Sequence, residues 1–242
     1  MARRKLGFWS RFAVALVKPP MLVMTKRDWR GMENIPAEGG IILVVNHTSH
    51  ADPFVVAHYI YDSGRWPQFL GKIGVFRIPI AGKILYWCHQ IPVERGTIDA
   101  VKALNAAVEA VRGGGAAVIY PEGTITREPD LWPMRGKTGA ARLRLLTGAP
   151  VIPIVAEGCE NLFDPRTKKV SLKPRRPVTV VTGKPLDLSR WDGAEANAAT
   201  LHEMTEAIML GLRDLVAEVR QETPPPLWTP SAQPNDEKAE QA

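Results

Sequence analysis

Ile41-Ile42-Leu43-Val44-Val45-Asn46-His47-Thr48-Ser49-His50-Ala51-Asp52-Pro53 is the stretch of sequence that decides the fold. Its first five residues form an unbroken aliphatic run, which predicts a strand buried on both faces. The polar residues that follow predict a loop, and Asp52-Pro53 predicts a helix start with Asp52 as its N-cap. A strand, a polar loop and a helix N-terminus in succession are where α/β proteins commonly place their chemistry.

His47 and Asp52 are the candidate catalytic pair within this stretch. Histidine accepts and returns a proton near neutral pH, and a carboxylate on its far ring nitrogen would fix the tautomer. On one helix, five residues correspond to a rotation of roughly 500°, so the two side chains meet only if the backbone turns between them. Two other interpretations stay open: Asp52 is only a cap, or His47, His50 and Asp52 bind a metal. No further ligand cluster follows, so we predict no metal.

Composition limits the function classes. The chain has 242 residues, enough for one large domain with a substantial core. Its formal net charge of +6 favours anionic partners such as anionic lipid or phosphorylated metabolites. Paired zinc ligands and an aromatic-rich RNA-binding signature are absent from the sequence, so nucleic acid is not a predicted partner. The two cysteines, Cys88 and Cys159, are too few for a disulfide scaffold.

Residues 1–24 are predicted to form an amphipathic helical segment that associates with a membrane and whose helix ends at Pro19-Pro20. One helical face carries apolar side chains and another carries basic ones: Phe8, Phe12, Ala15 and Leu16 on the first, Arg4, Arg11 and Lys18 on the second. The alternatives are a helix packed on the domain and a signal peptide, which Arg11 disfavours by interrupting the apolar region. An uninterrupted apolar run of about 18 residues is missing, so we predict no transmembrane helix.

The rest of the chain alternates strands and helices. This pattern predicts a single α/β domain over residues 25–221, with a central mixed, mostly parallel sheet and helices on both faces. Besides 41–45, the predicted strands lie within 26–36 and at 68–70, 89–93, 116–120, 151–155 and 178–181. The predicted helices lie at 53–61, 80–87, about 101–111, 137–147 and 194–220. Residues 222–242 are Pro-rich and then charged, so we expect a disordered tail.

Three of the predicted strands end in polar motifs, namely Asn46-His47, Glu94-Arg95 and Glu122-Gly123-Thr124. At these motifs the sequence resembles the glycerolipid acyltransferases, above all the 1-acylglycerol-3-phosphate acyltransferases. Four family motifs occur in order across roughly residues 30 to 185: Asn-His-x-Ser-x-x-Asp at Asn46, His47, Ser49 and Asp52; an acidic residue and Arg at Glu94-Arg95; Pro-Glu-Gly-Thr at Pro121 to Thr124; and an apolar stretch with an inner proline at Pro153.

The resemblance implies that a fatty acyl group moves from acyl-CoA or acyl carrier protein to the free hydroxyl of 1-acylglycerol-3-phosphate, giving phosphatidic acid. It implies that His47 is the general base, that Asp52 orients it, and that no cofactor beyond the acyl donor is needed. The implied phosphate-binding residues are Arg95 first, then Lys72, Arg127 and Lys137; the implied pocket residues are Asn46, Ser49, Glu122, Gly123, Thr124 and Pro153. The family often has Arg directly after Glu-Gly-Thr, where this chain has Ile125 and Arg127 is the nearest substitute.

Other functions remain open at this point. Glycerol-3-phosphate or another lysophospholipid is the alternative acceptor. A serine hydrolase with Ser49 as nucleophile is disfavoured because the sequence lacks a Gly-x-Ser-x-Gly elbow. A non-catalytic lipid-binding protein is the third alternative. The predicted partners are lysophosphatidic acid, acyl-CoA or acyl carrier protein, and an anionic membrane surface, with peripheral or monotopic attachment to the cytoplasmic face of the cell membrane.

Overall fold

The computed structural model describes residues 6–93 and 98–229, and one seven-stranded sheet organises this part of the chain. The strands are β1 (Thr25–Arg30), β2 (Ile41–Val45), β3 (Pro67–Lys72), β4 (Ile91–Val93), β5 (Ala116–Ile119), β6 (Val151–Glu157) and β7 (Arg176–Thr182). Their order across the sheet is β1-β7-β6-β2-β5-β3-β4. The aliphatic run at 41–45 therefore lies in the middle of the sheet, as its sequence predicts.

Strand direction determines which loops share an edge of the sheet. Strands β2 to β6 are parallel, β7 is antiparallel to β6, and β1 is parallel to β7. The prediction of a mixed, mostly parallel sheet is confirmed. The carboxyl ends of the five parallel strands meet at one edge, and the amino ends of β7 and β1 lie at that same edge. We call it the His47 edge, because the loop that follows β2 lies there.

Helices cover both faces of the sheet, which confirms the α/β prediction. They are α1 (Phe8–Met24), α2 (Asp52–Asp62), α3 (Ile73–Phe76), α4 (Ala81–Trp87), α5 (Ile98–Arg112), α6 (Gly139–Thr147) and α7 (Ala198–Arg220). The side chains of β2 alternate between two cores. Leu43 and Val45 pack with α1 and α2, whereas Ile42 and Val44 pack with α5, α6 and α7. Burial on both faces explains why the run contains no polar residue.

Helix α1 continues through Pro19-Pro20, so the predicted stop was wrong. The two prolines remove two backbone N–H donors and leave the carbonyls four residues earlier without helical partners. Those carbonyls belong to Ala15 and Leu16, which are exposed and therefore accessible to water. Beyond the prolines, Met21 and Met24 pack against the core and extend the helix to its junction with β1.

The predicted basic face of α1 is also different in the structure. Lys18 forms an ion pair with Asp62 of α2, with 2.6 Å between Nζ and Oδ1, so its charge is directed towards the domain. Arg11 is exposed, and Arg4 lies outside the described residues. Among the described residues, no helix combines the length and apolarity that crossing a membrane requires.

Two predicted features, the Glu94-Arg95 motif and the C-terminal tail, lie wholly or partly outside the described residues. Glu94 and Arg95 follow β4 and lie outside the described residues. The tail was expected to begin at residue 222. The backbone of Trp228 pairs with Met134, and the Arg135 N–H donates to the Trp228 carbonyl at 3.0 Å, so the described start of this segment contacts the domain. Residues 230–242 are outside the description.

Candidate active site

His47 and Asp52 are in direct contact at the end of β2. The imidazole Nδ1 of His47 lies 2.9 Å from Oδ2 of Asp52. Because an ionised carboxylate only accepts hydrogen bonds, we assign the proton to Nδ1. The lone pair is then on Nε2, the ring nitrogen that Asp52 leaves open to a ligand. This is the arrangement of a general base with an orienting carboxylate.

Asp52 also determines the shape of the loop before α2. Its side chain is fully buried, and Oδ2 accepts the backbone N–H groups of Thr48 at 2.7 Å and Ser49 at 2.9 Å. These donors precede the helix, and Asp52 makes no capping bond to α2, so the predicted N-cap role is wrong. The carboxylate instead closes the loop on itself, which explains how residues five positions apart meet.

The loop after β5 holds the backbone of His47. The His47 N–H donates to Oε1 of Glu122 at 3.2 Å, and its carbonyl accepts the Thr126 N–H at 2.7 Å. The second carboxyl oxygen of Glu122 accepts the Met134 N–H at 3.1 Å. Burial raises the pKa of Glu122 to about 8, against the opposing effect of these two bonds. Asp52 therefore fixes the ring of His47, while the β5 loop fixes its main chain.

Tyr120 is a site residue that the sequence analysis missed. Its ring stacks on His47 with 4.2 Å between ring centroids, and Phe69 lies 6.2 Å from it in a nearly parallel plane. The Tyr120 hydroxyl is buried and has no hydrogen-bond partner among the described residues. Burial raises the pKa of this hydroxyl, and the charge of Asp52 adds to the effect. The one available signal was its position between a central strand and the Pro-Glu-Gly-Thr motif.

A cavity of about 1160 Å³ extends from His47 between α1, α2 and the segment that carries α3 and α4. Its walls are mainly apolar and include Leu16, Phe54, Phe69, Val75 and Ile84. Ligand pockets typically occupy about 300–1,000 Å³ and combine apolar walls with a few placed polar groups. The shape and lining of this cavity therefore suit a long apolar substrate with its reactive group at His47.

Lys72 and Arg127 line the same cavity, as do Gly123 and Thr124 of the third motif. Gly123 has a φ of 74°, in the left-handed region that glycine adopts without strain, and its N–H closes a turn onto the Tyr120 carbonyl. Lys137 is not among the described residues that line the cavity. Two of the four predicted phosphate-binding residues thus lie at the cavity, and Arg95 lies outside the description.

Three other motif residues are not among the described residues that line the cavity. The side-chain amide of Asn46 donates to the Ala156 carbonyl at 3.2 Å, and its oxygen accepts the Ala156 N–H at 2.8 Å, which links β2 to β6. Pro153 lies within β6, opposite Val44. The fully buried Ser49 donates its hydroxyl to the Phe163 carbonyl at 2.6 Å. This contact argues against Ser49 as the nucleophile of a hydrolase.

The alternative of a metal site has no support in the geometry. In the described parts of the chain, no three His, Cys, Asp or Glu side chains are grouped as metal ligands. His50 instead packs against Phe163, with 5.2 Å between ring centroids.

The chain belongs to the Acyltransferase family, whose model matches residues 26–157. It is 29% identical over 169 residues to a chloroplastic 1-acyl-sn-glycerol-3-phosphate acyltransferase of Brassica napus, covering 69% of this chain and 47% of the relative. It is 31% identical over 134 residues to a 1-acyl-sn-glycerol-3-phosphate acyltransferase of Borreliella burgdorferi, covering 55% of this chain and 52% of the relative. The chain thus spans about half the length of these relatives.

A solved structure shares the fold. The crystal structure of the 1-acyl-sn-glycerophosphate acyltransferase from Thermotoga maritima matches with a TM-score of 0.57 at 22% identity, over 86% of this chain and 77% of that chain. The family resemblance read from the sequence motifs is confirmed.

Proposed function

We propose that this protein transfers a fatty acyl group from acyl-CoA or acyl carrier protein to the free hydroxyl of 1-acylglycerol-3-phosphate, giving phosphatidic acid. The observation that carries the proposal is a histidine, oriented by a buried carboxylate, at one end of a large apolar cavity. The names of the two relatives support the choice of acceptor.

The proposed reaction is a direct displacement on a thioester. Nε2 of His47 takes the proton of the acceptor hydroxyl as its oxygen attacks the thioester carbonyl carbon. Asp52 stabilises the imidazolium that results. The tetrahedral intermediate then collapses, the carbon–sulfur bond breaks, and the imidazolium returns its proton to the leaving sulfur. The acceptor is itself the nucleophile, so the sequence of steps needs no covalent acyl-enzyme.

The first test measures thiol release from acyl-CoA over a panel of acceptors. We expect 1-acylglycerol-3-phosphate to give the highest kcat/KM, with phosphatidic acid as the product detected by mass spectrometry. A preference for glycerol-3-phosphate or for another lysophospholipid would replace the acceptor and keep the reaction class. Absence of acyl transfer to every acceptor, with both acyl-CoA and acyl carrier protein as donors, would leave the non-catalytic lipid-binding alternative.

We propose that the acceptor phosphate binds to Arg95, with Lys72 and Arg127, which line the cavity, as further contributors. A guanidinium forms two parallel bonds to phosphate oxygens, which a lysine ammonium does not reproduce. Arg95→Ala should therefore mainly raise the acceptor KM, and Arg95→Lys should rescue it poorly. A phosphate-free monoacylglycerol is the control acceptor, and an equal loss of activity towards both acceptors would contradict this assignment.

We also propose peripheral or monotopic attachment to the cytoplasmic face of the cell membrane, with residues 1–24 as the membrane-associating segment and 25–221 as the catalytic domain. The apolar side chains of α1 that face solvent support this, since Phe8 is 72% exposed and Leu16 is 58% exposed. Trp9 stacks on Trp87 of α4 at 4.0 Å between ring centroids, which holds the helix against the domain.

Surface variants test this attachment more cleanly than a truncation. Deleting residues 1–24 would also remove Met21 and Met24 from the core. The double variant Phe8→Ser/Phe12→Ser changes two exposed positions of α1 that are not among the described residues lining the cavity. It should weaken sedimentation with anionic vesicles and lower activity on membrane-embedded acceptor more than activity on a short-chain soluble acceptor. Unchanged sedimentation of the folded variant would leave α1 as a packing element.

A further inference from the structure

The segment from Asp164 to Arg176, here called the 164–176 loop, carries most of the formal charge of the chain. It contains six Lys or Arg residues and one Asp, a net charge of +5 in a chain whose total is +6. Two aliphatic side chains project from it, with Val170 61% exposed and Leu172 85% exposed. Exposed aliphatic residues among clustered cations are typical of a surface that lies in a membrane interface.

The loop has a defined conformation. The Asp164 carboxylate accepts the N–H groups of Arg166 at 2.8 Å and Thr167 at 3.1 Å. The Asp164 N–H donates to the Lys169 carbonyl at 3.0 Å, and the Ser171 N–H donates to the Leu162 carbonyl at 2.8 Å. These bonds hold the cations and Leu172 on a structured turn rather than on a free strand of chain.

The cations of the loop are available to an external partner. Within residues 6–93 and 98–229, no carboxylate forms an ion pair with Lys168, Lys169, Lys173 or Arg175. Lys173 and Arg175 follow Leu172 on either side of Pro174, and both are exposed. Their charge is therefore not neutralised within the described protein.

The 164–176 loop lies at the His47 edge of the sheet, beside α1. It leads into β7, whose first residue Arg176 pairs with Thr25, the residue directly after α1. The Arg175 N–H donates to the carbonyl of Val23 in the last turn of α1 at 3.0 Å. Val23 is itself 61% exposed, so an exposed apolar residue of the helix lies next to the end of the loop.

The start of the loop also borders the catalytic cavity. Pro165 and Arg166 line it, and several residues of α1 line it as well, namely Ala13, Val14, Leu16, Val17 and Lys18. The Ser49 hydroxyl donates to the carbonyl of Phe163, the residue directly before the 164–176 loop, which links the start of this loop to the loop that carries His47. A surface that contacts both α1 and the 164–176 loop would therefore adjoin the cavity that contains His47.

We propose that the 164–176 loop is a second membrane-contacting element, which binds an anionic bilayer surface with its cations and inserts Leu172. The inference rests on the proposed function in one respect only, since a lipid acceptor explains why the cavity should open towards a bilayer. An acidic carrier protein is the competing partner for a basic surface. The exposed Val23 of α1 beside the loop favours the bilayer, because headgroup attraction and apolar insertion then act on one surface.

Vesicle sedimentation of the full chain, without substrates, tests the proposal. Each basic side chain near an anionic leaflet contributes about 1 kcal/mol, or roughly a fivefold change in partitioning. Lys173→Glu should therefore reduce partitioning onto vesicles of phosphatidylglycerol and phosphatidylcholine about tenfold or more, and added salt should shrink this difference. Leu172→Ser should reduce partitioning several-fold. The matched control is Lys184→Glu, which makes the same charge change at an exposed position beyond the far end of β7, and it should stay within twofold of the parent.

A second measurement tests directly whether position 172 inserts into the bilayer. A Leu172→Cys variant labelled with an environment-sensitive fluorophore should show a blue-shifted emission with anionic vesicles, whereas a labelled Lys184→Cys variant should not. The native Cys88 and Cys159 are buried, which favours labelling at the introduced site. The absence of a shift at position 172 would contradict insertion.

Three results would overturn the proposal. The first is parental vesicle binding by folded Lys173→Glu and Leu172→Ser proteins. The second is an equal loss of binding in Lys184→Glu. The third is unchanged vesicle binding with a loss of activity that is confined to acyl carrier protein donors, which would make the loop a docking site for that protein. Because vesicle binding is measured without substrates, a failure of lysophosphatidic acid acylation would overturn the proposed function and leave this result standing.

Discussion

Two histidine–aspartate pairs lie near each other on α2 and its preceding loop, and both histidines line the same cavity. In the His47–Asp52 pair, the histidine side chain is 15% exposed and the aspartate is fully buried. In the His58–Asp62 pair the exposures are reversed, at 1% for the histidine and 24% for the aspartate. A base needs an accessible lone pair and a fixed orienting group, and only the first pair provides both.

The hydrogen bonds sharpen this contrast. Asp52 is fixed by two backbone N–H groups of its own loop, whereas Asp62 pairs with Lys18 on the surface. Nε2 of His58 lies 3.4 Å from Oδ2 of Asp62, but the contact lacks hydrogen-bond geometry. Burial lowers the pKa of His58 to about 4, and the charges of Lys18 and Arg27 add to this against the opposing effect of Asp62. Proximity of an imidazole and a carboxylate is therefore not sufficient for catalysis.

The largest expected effect separates the two histidines. His47→Ala should lower kcat by about 10²–10⁴-fold, the usual contribution of a positioned base, while the protein stays folded. His58→Gln is the matched control and should cost less than about tenfold. Both are measured as thiol release from acyl-CoA, with circular dichroism to verify folding. A folded His47→Ala protein with near-parental activity would show that the proposed mechanism is wrong.

The aspartates should separate in the same way, with a smaller loss. Asp52→Asn keeps an oxygen for the N–H groups of Thr48 and Ser49 but removes the negative charge that stabilises the His47 imidazolium, so kcat should fall about a hundredfold or more. Asp62→Asn removes a partly exposed ion pair with Lys18, worth less than about 1 kcal/mol of stability, and should leave kcat nearly unchanged. Equal effects of the two substitutions on kcat would contradict the distinction between the pairs.

Tyr120 is a third feature that distinguishes the His47–Asp52 pair from the His58–Asp62 pair, because its ring stacks on His47. Tyr120→Leu removes the stack and should lower kcat about tenfold, with a changed pH profile. Tyr120→Phe keeps the stack and removes a buried hydroxyl without a partner among the described residues, so it should retain activity and gain about 1 kcal/mol of stability. If Tyr120→Phe loses as much activity as Tyr120→Leu, the hydroxyl rather than the ring is the important group.

Local sequence signals predicted most of the sheet and the contact between His47 and Asp52. The run at 41–45 has enough aliphatic residues to define a central strand, and a His and an Asp five residues apart define a pair that only a turning loop brings together. The sequence did not predict that β7 runs antiparallel to β6, because the direction of a strand depends on which neighbour it pairs with. The extension of α1 past two prolines depends on the packing of Met21 and Met24.

The missed site features have a common cause. The stack of Tyr120 on His47 and the bond from Ser49 to Phe163 join residues that are far apart in sequence. Asp52 was predicted both to orient His47 and to cap α2, and only the N-cap role was wrong, because its carboxylate accepts the N–H groups of Thr48 and Ser49 instead. Such contacts exist only once the sheet has formed.

The smallest expected effect concerns stability rather than catalysis, and it isolates the second pair. The folded protein holds the pKa of His58 at about 4, below the ordinary value of 6.5. Between these values the unfolded chain binds a proton at His58 that the folded protein does not, so stability falls as the pH is lowered from about 6.5 to about 4. Urea unfolding at pH 7.5 and at pH 5 should therefore show a larger loss for the parent than for His58→Gln. The difference should be at most about 2 kcal/mol, since one pKa unit corresponds to 1.36 kcal/mol. The His58→Gln protein is the control, because all other groups titrate in both proteins. Equal losses of unfolding free energy in the two proteins would show that His58 is protonated in the folded state at pH 5. The two pairs would then differ less than their burial indicates.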